Sequence, residues 1–188
     1  MKNTNVFVTI DGVDGVGKTT VAQLLASECA FHYYKSPAGT FAQLRKEVDN
    51  HATPIERYCF YRTATQYDSS QIGQLLEKTS VVCDRYIAST VAYHIAMDAR
   101  IRVIYGDGGL LKPDFAFLLG ARSDVRDKRI LERGKMLSDA KFEGDSVFLD
   151  RVAEIFTSFG LIYIDTSDIT AEEVAIEIRR VVLRGGQV

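Results

Sequence analysis

Apolar residues fall in short blocks along the chain, and the blocks alternate between two periods. "VFVTI" (6–10) is β-branched and aromatic and runs into a glycine-rich turn, which predicts a buried strand. From Lys18 to about Cys29 the period lengthens, with Val21, Leu24 and Leu25 on one face, which predicts a helix. "FHYY" (31–34), ended by Ser36-Pro37, predicts a second strand, and "SVVC" (80–83), ended by Asp84, a third. "DFAFLLG" (114–120), introduced by Pro113, and "LIYID" (161–165) predict two more. Helical spacing fills the intervals at 39–50, 55–77, 86–97, 123–134, 145–158 and 170–183. Thr53-Pro54 supplies an N-cap and first helical residue for the second of these.

Short apolar strands separated by helices make a parallel sheet covered on both faces. The expected architecture is a three-layer α/β fold with five parallel strands, in one domain over 1–188. No repeat, low-complexity tract or linker divides the chain.

Composition narrows the partners more than the fold. A hydrophobic share of 46%, a charged share of 26% and a net charge of −2 describe a soluble globular protein with no global pull towards nucleic acid polymers or anionic membranes. Phosphate binding must therefore come from local clusters of cations and backbone N–H groups. Cys29, Cys59 and Cys83 share no metal-ligand spacing, and a reducing compartment is expected. The opening "MKNTNVFVTI" is too brief for a signal-peptide core, and no run approaches a membrane span, so a cytoplasmic protein is expected.

Residues 12–19, Gly12-Val13-Asp14-Gly15-Val16-Gly17-Lys18-Thr19, match G-x-x-x-x-G-K-[ST] in full, between a predicted strand and a predicted helix. The glycines let successive N–H groups point at phosphate oxygens, and the helix adds its positive end. Lys18 would reach the terminal phosphates and Thr19 would place its hydroxyl on Mg²⁺, with Thr20 completing an ATP-binding stretch. A hydrolase would pair the aspartate of a later strand with a glutamate; here "VVCDRY" (81–86) follows Asp84 with Arg85. No N-K-x-D segment for guanine is present. Asp84 is a candidate metal ligand or a helix N-cap, and Arg85 a cation suited to a second phosphorylated molecule.

Arg122, Arg126, Arg129 and Arg133 are spaced four, three and four apart, on one face of the predicted helix. Lys135 and the polar "GKMLSDAKFEGD" (134–145) follow, as a mobile lid would. A closing, arginine-bearing lid stabilises migrating charge and excludes water. A solvated face, with Asp124, Asp127 and Glu132 as partners, is the other reading.

Together these stretches resemble the thymidylate kinase family of nucleoside monophosphate kinases, with its P-loop kinase fold. The resemblance rests on "DGVDGVGKTT", "SPAGT" with Arg45 downstream, "DRYIASTVAYH" (84–94), "KPDFAFLL" (112–119) and "KFE" (141–143). It implies that Asp14 lies near the acceptor phosphate and metal, that Arg85 holds that phosphate, and that Arg45 is close by. It implies a base stacked on Phe60, contacts from Ser89 and Thr90, and Tyr93 against the sugar, disfavouring a 2′-hydroxyl. Gly15 resembles the bacterial pattern in which the lid supplies the catalytic arginine, here Arg129 or Arg133, with Lys141 behind them. A homodimer is also implied.

Three positions depart from the family pattern. Ala64 stands where an arginine commonly grips phosphate and base; Arg62 lies about 200° away on the helix. Ser36 replaces a glutamate, and Ala140-Lys141-Phe142-Glu143 replaces the lid's D-R-x-E. Deoxynucleoside kinases of similar fold carry a base glutamate at the place of Ser36, because a neutral hydroxyl acceptor profits from a carboxylate. A monophosphate is largely deprotonated at neutral pH, its second pKa being about 6, and needs cations instead. The expected activity is transfer of the γ-phosphate of Mg·ATP to a pyrimidine deoxynucleotide, dTMP or a modified relative. A nucleoside or other small-molecule kinase and a non-catalytic nucleotide sensor are the alternatives.

Overall fold

The computed structural model describes residues 5–103, 105, 108–132 and 145–185. Its elements run β1 (Phe7–Asp11), α1 (Lys18–Cys29), β2 (His32–Lys35), α2 (Gly39–His51), α3 (Pro54–Leu76), β3 (Val81–Asp84), α4 (Ile87–Met97), β4 (Phe115–Gly120), α5 (Ser123–Glu132), α6 (Ser146–Thr157), β5 (Ile162–Asp165) and α7 (Ala171–Gly185). Every predicted element is present within a residue or two of its expected ends, allowing for the 133–144 stretch, which lies outside the described residues. The lid expected over 134–145 therefore falls, Asp145 apart, outside them too.

The strands form one parallel sheet in the order β2-β3-β1-β4-β5. Every residue of β1 is buried, as its apolar run demands of a central strand. The alternation of side chains sends Val8, Ile10, Val82, Phe117 and Leu119 into a core with Val21 and Leu25 of α1 and Val174 and Ile178 of α7. Phe7, Val81 and Cys83 pack instead with Ile72 and Leu76 of α3 and Val91 of α4. Helix starts are fixed locally: Thr53 and Glu56 form a reciprocal capping box on α3, and the Asp145 carboxylate accepts from Phe148 N at 3.0 Å on α6.

The register pairs Ile10 with Asp84, so β1 and β3 end side by side, and Lys35 of β2 pairs with the same Asp84. Chain direction reverses its spread across the sheet at β1, with β3 and β2 on one side and β4 and β5 on the other. Crevices at the carboxyl ends of strands at such a switch point are where open α/β sheets bind ligands. The phosphate loop after β1 and Asp84-Arg85 at the end of β3 lie there.

Candidate active site

The loop after β1 is wrapped tightly against its surroundings. Gly12 has φ +144°, and a Cβ there would collide with the Leu119 carbonyl oxygen. Gly15 has φ +85°, and a Cβ would lie 2.5 Å from Arg126 Cγ and 2.7 Å from its carbonyl oxygen. Both positions require glycine on backbone and steric grounds together. Lys18 opens α1 directly after the left-handed Gly17, so the helix N-terminus carries no side-chain cap and its N–H groups face the loop's hollow. The Lys18 ammonium donates to Val13 O at 2.6 Å and stands 3.8 Å from Asp14. Burial, reinforced by the nearby Arg85 charge, pushes Lys18 down to about 8.

At the apex of the loop Asp14 forms an ion pair with Arg85, and its other oxygen accepts from the Tyr93 hydroxyl at 3.1 Å. Arg85 also donates to Gly12 O at 3.2 Å and to Ser89 Oγ at 3.4 Å, and its guanidinium lies 5.3 Å from the centre of the Tyr93 ring. Burial alone would raise the Asp14 carboxyl, but Arg85, Lys18 and the Tyr93 hydroxyl hold it far below the usual range. Burial likewise opposes the charge of Arg85, and Asp14 outweighs it. The result is one carboxylate flanked by two largely buried cations, a local excess of positive charge.

Arg85 adopts φ +71°, a left-handed conformation that costs a non-glycine residue energy. The turn is held by Arg85 N donating to Ile10 O at 3.0 Å and by Asp11, a residue the sequence reading missed. One Asp11 oxygen accepts from Tyr86 N at 3.1 Å, Ser89 N at 3.0 Å and Ser89 Oγ at 2.6 Å. It thus caps α4 from across the sheet, and burial raises its carboxyl. A carboxylate ending a buried strand was the available signal.

Asp84 accepts from Thr19 Oγ1 at 2.6 Å and Tyr33 OH at 3.2 Å, while its Oδ1 is buried without a partner. A hydroxyl and a carboxylate with a free buried oxygen make a hard-oxygen pair that fits a divalent cation such as Mg²⁺. Both candidate metal ligands are thus adjacent.

The structure separates other expected residues from this cluster. Arg45 donates to Tyr61 OH at 3.1 Å and to Asp49 at 3.4 Å, at the rim, yet still contributes to lowering the Asp14 carboxyl. Phe60 packs on Phe41 at 5.6 Å between centroids. Thr90 Oγ1 lies 3.3 Å from Thr65 Oγ1. Ala64 is buried, and Arg62 reaches away to Gly108 O at 2.8 Å. Ser36 donates to one oxygen of the buried Asp68 at 2.6 Å, and Tyr34 OH and Ala38 N donate to the other.

The arginine ladder is not a uniform face. Arg122 forms a two-pronged, exposed pair with Asp168, Arg126 is buried, and Arg129 donates to Thr166 Oγ1 at 3.0 Å and Thr166 O at 2.6 Å. The helix meets the phosphate loop through Arg126 and Ile130 and the turn after β5 through Arg129, while Arg122, Asp124, Lys128 and Glu132 stay exposed to solvent. Arg129 and Thr166 wall a cleft with Gly17, Thr20, Ile169 and Thr170, alongside the phosphate loop. Arg133, Lys135 and Lys141 lie outside the described residues.

A family model described as thymidylate kinase matches residues 10–178. The chain belongs to the thymidylate kinase family. Among its relatives is a probable thymidylate kinase of Methanocaldococcus jannaschii, 30% identical over 184 residues that cover 93% of this chain and 94% of the relative. The mitochondrial UMP-CMP kinase 2 of Homo sapiens is 35% identical over 158 residues, 77% of this chain and 35% of that protein. Thymidylate kinase of Candida albicans has the same fold, with a TM-score of 0.80 at 20% identity, covering 97% of this chain and 93% of that one. As a thymidylate kinase family member the chain is a phosphotransferase that phosphorylates nucleoside monophosphates with ATP. No helix among the described residues is long and apolar enough to cross a membrane.

Proposed function

We propose that this thymidylate kinase family member transfers the γ-phosphate of ATP to a pyrimidine deoxynucleotide, dTMP or a close relative, giving the diphosphate. The reading is carried by Asp14, which pairs with Arg85 on one side and stands 3.8 Å from Lys18 on the other. The donor loop and the acceptor cation thereby share one carboxylate. Gly12 to Thr20 bind the ATP phosphates, and the cleft between Arg129 and Ile169 receives the adenine. Arg85, with Ser89 beside it, holds the acceptor phosphate, and Arg45 closes the rim. Tyr93 lies against the sugar, Phe60 stacks on the base and Thr90 meets its edge.

An oxygen of the acceptor phosphate forms a bond to Pγ while the bond from Pγ to the β–γ bridging oxygen breaks, its electron pair leaving with ADP. Lys18 spreads the charge that develops on the equatorial and bridging oxygens. Thr19 and Asp84 would hold Mg²⁺, which would supply positive charge against that of the nucleotide phosphates. Arg129 and Arg133 remain the lid-side candidates for further charge stabilisation. A single domain whose lid spans about 134–145, a homodimer and a cytoplasmic location complete the proposal.

The β2 turn favours this over nucleoside phosphorylation. The carboxylate next to Ser36, Asp68, is fully buried and turned onto Ser36, Tyr34 and Ala38 N, so it is out of reach of a sugar hydroxyl. A cytosine or uracil base is the second reading. Thr65 spends its proton on Tyr61 O at 2.8 Å, so Thr90 donates to Thr65 and offers a base only lone pairs. Those accept an N–H, whether thymine or uracil N3–H or the cytosine amino group, while Ala64 supplies no donor to a base carbonyl. The test is ADP release from Mg·ATP with dTMP, dUMP, dCMP, their ribonucleotides and the parent nucleosides. Turnover is expected with a deoxypyrimidine monophosphate; turnover with nucleosides alone overturns the proposal.

A further inference from the structure

Thr166, at the turn after β5, joins three segments that lie far apart in the chain. Its hydroxyl stands 3.0 Å from Gly120 O at the end of β4 and 3.1 Å from Val16 O in the phosphate loop. The same oxygen accepts from Arg129 Nη1 at 3.0 Å, while Arg129 Nη2 donates to Thr166 O at 2.6 Å. Gly120 O also takes the Thr166 N–H at 2.8 Å, so the backbone at this turn is pinned independently of the side chain. Thr166 is 3% exposed, and both it and Arg129 line the cleft beside the phosphate loop.

The two bonds to Arg129 decide how its guanidinium lies. A guanidinium is planar, and its N–H groups point outwards in that plane. One bond would let the plane swivel; anchoring both amino groups on one residue fixes it. The carbonyl holds Nη2 whatever side chain stands at 166, whereas Nη1 is held by the hydroxyl. The cleft is also lined by Val21, Ile169, Ala171 and Val174, apolar surface that suits a flat base. A planar cation of fixed tilt offers such a base a face to lie on. Because the hydroxyl also reaches Val16 O, 150 positions away, the tilt of Arg129 is referred to the loop that binds the phosphates.

We infer that Thr166 is a positioning residue for the donor nucleotide: its hydroxyl holds the Arg129 plane in register with the phosphate loop, so that base and phosphate chain meet one rigid surface. The inference rests on the reading above that this cleft takes the adenine of ATP. Thr166 acts through Arg129, so its loss is felt by the nucleoside part of the donor and not by the phosphates.

The test measures displacement of a fluorescent ADP analogue from the full chain by ADP and by inorganic tripolyphosphate, which has the charges and no base. Thr166→Val keeps the branched shape and removes the hydroxyl. ADP affinity should fall about tenfold, the scale of one hydrogen bond to a charged group, with tripolyphosphate affinity within about twofold of wild type. Thr166→Ser restores the hydroxyl and should return ADP affinity to within about threefold of wild type. In an Arg129→Met background, Thr166→Val should change ADP affinity by less than about twofold, because the group it acts through is gone. In turnover, the KM for ATP should rise and that for the acceptor should not; a lower kcat with an unchanged KM for ATP overturns the inference. Equal losses for ADP and tripolyphosphate would show Thr166 supporting the phosphate loop through Val16, and overturn it too. So would an unchanged ADP affinity, or an undiminished loss without Arg129. Should Thr166→Val not fold, Thr166→Ala takes its place with the same outcomes. These titrations require no phosphate transfer. A wild type that binds ADP yet phosphorylates no acceptor overturns the functional proposal alone; one that binds no ADP overturns both.

Discussion

Lys18 carries two burdens: it must stay charged to bind phosphate, yet burial, and after it the Arg85 charge, pushes it down to about 8. Nucleotide phosphates favour the charged form, so by linkage ATP and ADP affinity should be constant below pH 8. It should then fall by up to about tenfold per pH unit above it. Titration of a fluorescent ADP analogue from pH 7 to 9.5 checks this, and a flat curve would contradict it. Lys18→Ala should remove at least about 100-fold of kcat with every acceptor, measured by ADP release. His94 is the opposite case. Its Nδ1 lies 2.6 Å from Thr90 O, its Nε2 is buried without a partner, and burial lowers it to about 4. The unfolded imidazole takes a proton below about 6.5 while the folded one does not. Stability from this residue is therefore full above pH 6.5 and is lost as pH falls towards 4. We expect about 2 kcal/mol less stability at pH 5 than at pH 7, read from urea midpoints, and a shallower slope in His94→Gln.

At the scale of elements, function depends on two seatings. The first is α4 on Asp11, which satisfies Tyr86 N, Ser89 N and Ser89 Oγ together. Asp11→Ala leaves these donors buried and unpaired, costing about 1–3 kcal/mol in chemical denaturation. Because Arg85 precedes α4 in a left-handed turn, the same change should raise the acceptor KM several-fold with little change for ATP. Equal effects on both substrates would show that Asp11 supports the fold in general rather than Arg85. The second is α5 on the phosphate loop. Gly15→Ala places a Cβ 2.5 Å from Arg126 Cγ at φ +85°, so helix or loop must move. Loss of ADP binding, with about 2 kcal/mol or more of lost stability, is expected. The start of each element was readable locally, through Thr53-Pro54-x-Glu56 on α3 or the glycines before α1. The seatings were not. Asp11 and Ser89 are separated by 78 residues, and nothing in the local pattern near either one announces the other.

Over the whole molecule, the order β2-β3-β1-β4-β5 brings the ends of β1 and β3 together and so joins Asp14 to Arg85 and Thr19 to Asp84. The sequence by itself determined the alternation of strands and helices, the phosphate loop and the identity of its cations. Side-chain period, turn chemistry and helix capping act over a few residues and are written where they act. Only the tertiary structure decided which cations share the site. Four arginines at helical spacing are equivalent on a bare helix. The seating of α5 beside the phosphate loop and the turn after β5 leaves Arg122, just ahead of the helix, on Asp168, Arg129 on Thr166 and Arg126 in the interior. Burial and pairing across distant chain segments depend on where the sheet places those segments, and no short-range pattern encodes that.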